Sequence, residues 1–562
     1  MLSQSLNGET VRGILRPLRP GPKSRFRFAV YDIECPSKED LSFYSCGFFD
    51  GEQYSYFRTM EEFLCYVLKP EYSGFRFFAH FGGRFDVHYV FDWLREHEPN
   101  TYMEINCAGS CVISLTVRQG KYYWRFTDSY RLLPKSLETL TIEFEVQHKK
   151  LRGLDFKDRI YNEHDCRGLY EVLEQFFDAF EICSETIASH AMRVFRSAFL
   201  RRDIYQPNEE IESFVRKAYF GGRCEIYRYD ERELNHYDVN SLFPAAMREN
   251  VPVEYLHQTR SIPDDDSRIG FYLASVKYPE VYLPILPFRY DKLYFPVGEF
   301  SGYFTSMDLR RAIEDGASVN VIAGKLFHAE PIMREYALGL FEMKKKAEEE
   351  GKSGKRYISK ILMNSLYGKF GQRREQRTFF VDDGRPGAYP LPNGLAWEFT
   401  ESRAAHILPH ISAAITSRAR SMQYDLLRRA PNWYTDTDSL FTSGEYETDS
   451  GLGALHYEGR GKFQAYRLKE YRFQGEYKVK GLPRSKNDDE EKRKEEDRAL
   501  AEKYFAGEKI LSERMIGFTE SIRAGERTVR RVERPRQFRP VLDKRCRIEN
   551  DSRPWKASEL IA

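Results

Sequence analysis

Two aspartates, Asp436 and Asp438, lie two positions apart in the segment 434–440, which reads Tyr-Thr-Asp-Thr-Asp-Ser-Leu. In extended backbone such residues project to the same side of the chain, so their carboxylates would lie close together. Burying two like charges side by side is unfavourable unless a cation compensates them. Carboxylate oxygens suit Mg²⁺, and the segment is therefore a candidate site for divalent ions. A polar hairpin tip is the simpler interpretation of an isolated Asp-x-Asp, so the rest of the chain must decide.

A second set of carboxylates comes from three separate segments in the first third of the chain. Asp32 and Glu34 end an apolar strand pattern and share one of its faces. Asp86 follows a Gly-Gly turn, whose glycines let the backbone approach a ligand closely. Tyr161 and Asp165 lie one helical turn apart at the start of a helical pattern. Together these four acids could hold two metal ions, one activating water and one stabilising a leaving oxygen, as in a phosphodiesterase.

The elements that must position these residues belong to a large chain. At 562 residues, three or more packed units are expected. The net charge of +2 with 31% charged residues permits local basic surfaces but identifies no partner. The nine cysteines contain no Cys-x-x-Cys pair, which indicates reduced, structural thiols and an intracellular protein. Without a signal peptide or an apolar run long enough to cross a bilayer, we expect a cytoplasmic protein with no membrane contact.

The order of the motifs resembles that of family B DNA polymerases. Asp32-x-Glu34, Phe85-Asp86 and Tyr161-x-x-x-Asp165 are similar to the three exonuclease motifs of that family. Five downstream segments are similar to its later motifs: the Tyr-x-Gly-Gly element at 219–223, motif A at 238–244, motif B at 360–368, motif C at 434–438 and the Lys-x-Tyr motif at 469–471. The resemblance covers residues 28–481, most of the chain.

Length and spacing most closely resemble the compact, protein-primed polymerases of phages with linear genomes, of the tectivirus type. The resemblance implies an α+β fold with a ribonuclease H-like 3′-5′ exonuclease domain, followed by a right-hand polymerase domain of palm, fingers and thumb. The implied boundaries are a basic N-terminal arm (1–24), the exonuclease domain (25–200), the palm (201–261 and 405–482), two terminal-protein-region insertions (262–334 and 372–404, the second a hairpin), the fingers (335–371) and the thumb (483–562).

The resemblance also implies the activity. It predicts template-directed DNA synthesis with a proofreading exonuclease, protein priming and strand displacement on a linear viral or plasmid DNA. It implies two Mg²⁺ ions per active site, with Mn²⁺ able to substitute. The expected partners of the monomer are template and primer DNA, dNTPs, a terminal protein carrying the priming hydroxyl and a single-stranded DNA-binding protein, in the cytoplasm of a host cell. Two alternatives stay open: a DNA-primed small family B polymerase, and a non-catalytic DNA-binding replication scaffold.

Individual roles follow from the motif positions. The implied catalytic residues are Asp238, Asp436 and Asp438 for synthesis and Asp32, Glu34, Asp86, Tyr161 and Asp165 for exonuclease. Metal ligands are expected at Asp238, Val239, Asp438, Asp32, Glu34 and Asp165. The dNTP would contact Phe243, Lys360, Asn364, Tyr367 and Lys346, although the choice among the lysines at 344–346 is open. DNA would contact Phe81, Tyr219, Gly221, Gly222, Lys469, Tyr471 and Lys480.

Two positions depart from the family pattern. Phe243 stands where motif A usually has Tyr; its ring can still block a ribose 2′-hydroxyl. Phe81 stands where the second exonuclease motif usually has Asn, and an aromatic ring there could stack on a single-stranded primer end. The basic segment 523–539 would suit a thumb lying along duplex phosphates, or else a flexible surface strand.

Overall fold

A computed structural model describes residues 11–18, 27–37, 39–151, 157–485, 487, 489–539 and 543–561. Most of the predicted arm at 1–24 lies outside the described residues. The described part of the arm contains regular structure: Val11–Leu15 forms a strand that pairs with Ile204–Pro207, about 190 residues away. Across the described residues, no helix is both long and apolar enough to span a bilayer.

The first structural unit is a mixed sheet with helices on both faces. Its elements and the short strands that flank them are β1 (Val11–Leu15), β2 (Phe28–Glu34), β3 (Ser45–Phe49), β4 (Tyr54–Phe57), α1 (Met60–Val67), β5 (Arg76–Ala79), α2 (Asp86–His97), β6 (Tyr102–Ala108), β7 (Cys111–Gln119), β8 (Tyr122–Asp128), α3 (Leu137–Glu143), α4 (Arg159–Asp178), α5 (Ile187–Val194) and β9 (Ile204–Pro207). Strands β2, β5 and β8 are parallel at its centre. Strands β3 and β4 form a hairpin around Asp50-Gly51, and Tyr161 and Asp165 lie in the first two turns of α4.

The middle of the chain forms a second sheet, an attached smaller sheet and a helix pair. These elements are α6 (Glu209–Arg216), β10 (Cys224–Ile226), β11 (Arg232–Val239), α7 (Leu242–Met247), β12 (Val251–Gln258), β13 (Arg268–Tyr278), β14 (Phe288–Arg289), β15 (Leu293–Tyr294), β16 (Gly298–Thr305), α8 (Ser306–Glu314), β17 (Ser318–Glu330), α9 (Arg334–Glu349) and α10 (Ser353–Phe370). Helices α9 and α10 occupy the range predicted for the fingers. Their turn contains Gly351, whose φ of 69° suits a residue without a β-carbon.

The first predicted insertion is an ordered four-stranded sheet in the order β12-β17-β13-β16. The sheet extends beyond the predicted boundary at residue 262, because β12 begins at Val251 and pairs with β17 through Val251 and Glu330. The sequence placed the boundary at the polar segment after β12, where no local signal shows which strand β12 pairs with. Helix α8 packs on this sheet and starts with a capping box at Thr305 and Asp308.

The remaining elements complete the second sheet and form the C-terminal part. They are β18 (Glu375–Val381), β19 (Tyr389–Leu391), β20 (Leu395–Glu401), α11 (Pro409–Leu427), β21 (Asn432–Asp436), β22 (Ser439–Thr442), β23 (Leu455–Arg467), β24 (Glu470–Phe473), β25 (Glu476–Val479), α12 (Glu490–Phe505), β26 (Ile510–Met515), α13 (Phe518–Ala524), β27 (Arg531–Arg536), β28 (Cys546–Ile548), β29 (Asp551–Arg553) and α14 (Ala557–Ile561). The second sheet has the order β10-β21-β22-β11-β23-β24-β25.

The hairpin predicted at 372–404 forms as β18 and β20, but it is not free-standing. Strand β18 also pairs antiparallel with β6, through Thr378–Asn106, Phe379–Ile105 and Phe380–Glu104. The first sheet therefore has ten strands in the order β19-β20-β18-β6-β7-β8-β5-β2-β3-β4. Phe379 joins the same buried apolar cluster as Phe518 of α13. The hairpin thus connects the exonuclease-like unit to the C-terminal part.

Residues in the range predicted for the thumb, 483–562, contact both large sheets or the helices packed on them. Helix α13 packs on α2, with the rings of Phe518 and Phe91 4.9 Å apart. The last strands return to the second sheet, where Ser552 Oγ donates to the Tyr227 carbonyl at 2.8 Å. These contacts join distant segments, so local sequence patterns could not reveal them.

The basic segment 523–539 is ordered and paired with acids. Its middle forms β27, antiparallel to β26. Arg527 forms an ion pair with Glu96 of α2 at 2.8 Å, and Arg531 lies 3.5 Å from Glu513. Arg534 pairs with Glu520. Much of the segment's charge is therefore already compensated within the chain.

Candidate active sites

Asp436 and Asp438 flank a tight turn between β21 and β22. Thr437 at its centre has φ of 65°, a left-handed conformation that is uncommon for a residue with a β-carbon. The Thr437 amide donates to the Arg223 carbonyl at 2.8 Å. A β-carbon at Gly222 would lie 2.7 Å from Thr437 Cγ2, so glycine is needed for this approach. The Tyr-x-Gly-Gly segment thus holds the turn that carries both carboxylates.

Asp238 lies beside this turn on β11. It pairs with Ser439 of β22 on one side and with His456 of β23 on the other. The Val239 amide donates to the Asp438 carbonyl at 2.8 Å. An open pocket of about 400 Å³ lies in front of these strands, lined by His236, Asp238, Asp436, Thr437, Asp438, Ser439, Glu458, Lys469 and Tyr471. The structure therefore brings the three predicted aspartates of motifs A and C together.

The electrostatics of this pocket suit a cation. Burial, together with Asp438 and Glu458, raises the pKa of Asp238 to about 6. Burial also raises the pKa of Asp438, and Lys360 opposes both shifts. Among the described residues, no group of three or more His, Cys, Asp or Glu side chains has the geometry to hold a metal ion as it stands. Even so, half-buried carboxylates that repel one another across an open pocket are the oxygen donors that a hard divalent ion prefers.

A stacked aromatic pair forms one wall near Asp238. The rings of Phe243 and Tyr367 lie 4.4 Å apart with an angle of 19° between their planes. Ser412 Oγ donates to the Tyr367 carbonyl at 2.6 Å and fixes this part of α10. Lys360 and Asn364 are exposed on the same helix, at a spacing that places them on one face with Tyr367.

The structure favours a different lysine of α9 from the predicted Lys346. Lys346 is 77% exposed and lies 3.9 Å from Glu350 on its own helix. Lys344 Nζ instead donates to Oδ1 of Asn240, a residue of motif A, at 3.3 Å. Helical spacing could not distinguish these lysines, because the direction of α9 relative to motif A depends on tertiary packing.

The Lys-x-Tyr motif lies at the edge of the pocket. Tyr471 is on β24, whereas Lys469 lies in the turn before that strand, with φ of 66°. The Lys469 ammonium lies 3.2 Å from Asp436 Oδ2, and the Lys469 amide donates to Tyr434 Oη at 3.0 Å. Lys480 is exposed just after β25 and does not line the pocket. Tyr219 is half-buried and packs against the end of α10, because a β-carbon at Gly371 would lie 2.5 Å from the Tyr219 ring. Gly221 is exposed.

The second carboxylate set converges at the end of β2. Asp86 begins α2 and accepts a hydrogen bond from the Ile33 amide at 2.9 Å. Asn162 Nδ2 donates to Asp32 Oδ2 at 3.0 Å, and Tyr54 Oη donates to Asn162 Oδ1 at 3.0 Å. Three segments that are far apart in sequence therefore meet, as predicted.

These carboxylates also fit a divalent ion. Burial and then Asp165 raise the pKa of Asp32 to about 7, and burial and then Asp32 raise the pKa of Glu34 to about 10. Asp165 Oδ1 is buried with no hydrogen-bond partner among the described residues. A bound cation would relieve the repulsion and satisfy the orphaned oxygen.

Lys150 is a residue of this site that the sequence analysis missed. Its ammonium pairs with Asp165 and lies 4.6 Å from the centre of the Tyr161 ring. It comes from the segment between α3 and α4, which carries no periodic pattern. The predicted acids were found from strand and helix spacing, but nothing local placed this lysine next to them.

Phe81 lies at the rim of the same site. Its φ of 62° is left-handed, and its side chain is 40% exposed. The ring stacks on Tyr130 at 4.0 Å, with 25° between the ring planes. Two stacked, partly exposed rings next to the carboxylates form a surface on which a base could stack.

Comparison with known proteins assigns the class. The sequence pattern of the family described as DNA polymerase type B, organellar and viral, matches residues 152–447, and the chain belongs to that family. It is 27% identical to a probable DNA polymerase of Neurospora intermedia over 492 residues, covering 70% of this chain and 50% of that protein. It is 26% identical to the DNA-directed DNA polymerase of Enterobacteria phage PRD1 over 464 residues, covering 75% of this chain and 78% of the phage protein. The chain spans about half the length, or less, of the fungal relatives.

The fold is similar to that of phi29 DNA polymerase in its complex with primer-template DNA and incoming nucleotides. The TM-score is 0.67 at 19% identity, and the match covers 87% of this chain and 96% of the phage chain. The predicted α+β class, with an exonuclease-like domain before a right-hand polymerase domain, is confirmed.

Proposed function

We propose that this chain is a template-directed DNA polymerase with a 3′-5′ exonuclease. The observation that carries the proposal is the presence of two separate carboxylate clusters on two different sheets. Asp238, Asp436 and Asp438 face one open pocket, and Asp32, Glu34, Asp86 and Asp165 meet at the end of β2. Family membership and the fold support the same activities. A scaffold without catalysis would have no need of seven acids in these positions.

The residues suggest how each site works. Family membership implies dependence on divalent metal ions, and we propose Mg²⁺, with Mn²⁺ as a substitute. Asp238, Val239 and Asp438 would hold the ions for synthesis, and Asp32, Glu34 and Asp165 those for exonuclease. When bound, such ions lower the pKa of an attacking hydroxyl or water and stabilise the leaving oxygen.

The chain's own side chains would position the substrates around the ions. Lys360 and Lys344 would attract the triphosphate of a dNTP, and the Phe243 ring would exclude a ribose 2′-hydroxyl. Lys469 would keep Asp436 in place and contact the primer strand together with Tyr471. In the exonuclease, Lys150 and Tyr161 would orient Asp165, while Phe81 and Tyr130 stack on the terminal bases.

Primer extension with and without dNTPs tests the proposal. Asp438→Asn removes a charge from one cluster, so extension should collapse while primer degradation without dNTPs persists. Asp32→Ala should have the opposite effect. Chelation with EDTA should stop both reactions, and Mg²⁺ should restore them. If either single variant, while folded, loses both activities, the assignment to two separate sites fails.

We further propose that synthesis can start on a terminal protein, in a host cytoplasm and with a single-stranded DNA-binding protein as an additional partner. The support is the ordered sheet β12-β17-β13-β16, which lies next to the palm and exposes apolar side chains such as Ile322. An ordered insertion of this size suits a docking surface better than a flexible loop does.

The test uses the cognate terminal protein, a genome-end template, labelled dNTP and Mg²⁺. Ile322→Ser and Tyr290→Ser, both at exposed positions of the insertion, should reduce nucleotidylation of the terminal protein while DNA-primed extension continues. Absence of any covalent protein–dNMP product with the unaltered enzyme would favour the alternative of a small polymerase that uses only DNA primers.

A further inference from the structure

Four arginines lie close together on the central strands of the first sheet, away from the strand end that carries the carboxylates. Strands β2, β5 and β8 run parallel, with Phe28 beside Arg76 and Arg76 beside Arg125. Arg27 and Arg76 lie where β2 and β5 begin, and Arg125 lies beside Arg76 in the middle of β8, whereas Asp32 lies near the end of β2. At about 3.3 Å per residue, Arg27 and Asp32 are about 16 Å apart along the strand. The arginines are thus distinct from the exonuclease site.

These arginines line a pocket of about 270 Å³. Its lining residues are Arg27, Gly74, Phe75, Arg76, Arg118, Tyr123 and Arg125. No part of either carboxylate cluster borders it. The volume lies just below the usual range for small-ligand sites, about 300–1,000 Å³, so the pocket would admit about one nucleotide unit but not a duplex.

The pocket carries positive charge that the chain only partly compensates. Glu185 lies 2.6 Å from Arg125 and 3.8 Å from Arg76, and it holds these two side chains in place. Arg118 is 51% exposed, and its ion pair with Glu104 is long, with 3.9 Å between the nearest nitrogen and oxygen. Arg27 donates to the Glu71 and Ser73 carbonyls at 3.5 and 3.3 Å, which leaves its charge for a ligand. In the described part of the chain, two carboxylates therefore accompany four guanidinium groups.

Two aromatic rings complete the pocket. The Arg27 guanidinium lies 4.9 Å from the centre of the Phe75 ring. Tyr123 is 44% exposed, so part of its ring is open to a ligand at the pocket. Gly74 also lines the pocket, and its φ of 84° is a backbone conformation that favours a residue without a β-carbon.

We propose that this pocket binds single-stranded DNA at a position separate from both active sites. One base stacks on Tyr123, and the neighbouring phosphates contact Arg27 and Arg118. Alternating arginines and exposed rings are the chemistry of single-strand recognition. An acidic peptide would satisfy the arginines but leave the exposed ring unused. The inference rests on the proposed function, because a polymerase that separates strands has such a ligand at hand.

The test measures binding of a fluorescent thymidine decamer to the full chain. Excess unlabelled primer-template occupies the polymerase site, and EDTA prevents degradation of the probe. Arg27→Ser/Arg118→Ser should lower the affinity and reduce the slope of log K against log[salt] by about 1.4, since each single-strand phosphate contact contributes about 0.7. Tyr123→Ala should lower the affinity about 5- to 150-fold.

The matched control is Arg58→Ser/Arg95→Ser, which removes the same charge from two arginines of the same sheet unit that do not line the pocket. Its affinity and salt slope should match the wild type, and the thermal unfolding of all variants should be similar. Unchanged binding by the pocket variants would overturn the proposal. So would equal affinity for dTMP and the decamer, which would indicate a free-nucleotide site, or displacement of the probe from the pocket by poly-glutamate at equal charge.

Primer extension separates this inference from the proposed function. If the wild type fails to extend a primer, the proposed function fails. If Arg27→Ser/Arg118→Ser extends primers normally and binds the decamer as the wild type does, only the single-strand pocket fails.

Discussion

At the scale of one residue, a substitution of Phe243 tests how the enzyme selects the sugar of the incoming nucleotide. Its position is fixed by stacking on Tyr367. Phe243→Val removes the part of the ring that would meet a 2′-hydroxyl, so ribonucleotide incorporation relative to dNTP should rise about 10- to 200-fold, the usual effect of reshaping an apolar pocket. Single-turnover incorporation of dNTP and rNTP measures the ratio. Phe243→Tyr is the control, because it keeps the ring and should preserve selection; an unchanged ratio in Phe243→Val would remove Phe243 from this role.

The Phe81–Tyr130 pair makes a second prediction at this scale. Phe81→Ala removes one stacking surface and should weaken binding of a single-stranded primer end by about 1–3 kcal/mol. The hydrolysis rate at saturating DNA should change little, because the carboxylates stay in place. Exonuclease rates over a range of single-strand concentrations separate the two effects. Phe81→Tyr should behave like the wild type, and equal apparent affinities for wild type and Phe81→Ala would indicate a purely structural ring.

The carboxylates were predictable from the sequence because their spacing is a local property. Asp32 with Glu34 follows the two-residue period of a strand, and Asp436 with Asp438 flanks a short turn that brings both carboxylates to one pocket. The side chains that surround them were less predictable. Lys150 reaches Asp165 from a segment without periodicity, and the choice of Lys344 over Lys346 depends on how α9 packs. Tertiary packing, rather than propensity, decides such contacts.

At the scale of elements, the C-terminal strands support the motif C turn. Arg223 Nε donates to Glu225 Oε2 at 2.7 Å, and Arg545 Nη1 lies 3.9 Å from the same oxygen. All three side chains are buried. Because the Arg223 carbonyl accepts from the Thr437 amide, this buried triad connects the end of the chain to the turn that carries Asp436 and Asp438.

Glu225→Gln tests this connection. Two buried guanidinium groups would lose their countercharge, so the free energy of unfolding should fall by about 3–5 kcal/mol. Primer extension should fall more than primer degradation, since β10 supports only the polymerase pocket. Urea unfolding and the two activity assays provide the measurements. Glu231→Gln is the control: its ion pairs with Arg472 and Lys462 are partly exposed and should contribute about 0–1 kcal/mol. Equal losses in the two variants would contradict the buried triad.

The elements themselves were predicted better than their partners. The strand pattern that ends in Asp32 and Glu34 and the helical pattern that starts near Tyr161 form as β2 and α4, and the hairpin implied at 372–404 forms as β18 and β20. The pairing of β18 with β6 and the place of β12 in the insertion sheet were not predictable. A strand's sequence specifies its faces but contains little information about a neighbour hundreds of residues away.

At the scale of the whole molecule, the positions of the charged residues are more informative than the net charge. The net charge is only +2, and four of the seven arginines of 523–539 form ion pairs, with Glu96, Glu513, Glu520 and Glu526. Uncompensated positive charge remains near Lys360 and in the pocket around Arg27. Contacts with nucleic acid are therefore expected at discrete places, not over a uniformly basic surface.

The ten-stranded sheet also constrains the order in which the protein can fold during synthesis. About 270 residues separate β6 from its partner β18, so at about 5–20 residues per second the edge of β6 waits about 15–50 s on the ribosome. An uncovered edge strand invites pairing with another chain. A fragment of residues 11–208 should therefore self-associate in sedimentation velocity, and a peptide of residues 372–404 should return it to monomer. A peptide with Phe379→Asp is the control, and a fragment that stays monomeric alone would show that nascent chains need no protection at this edge.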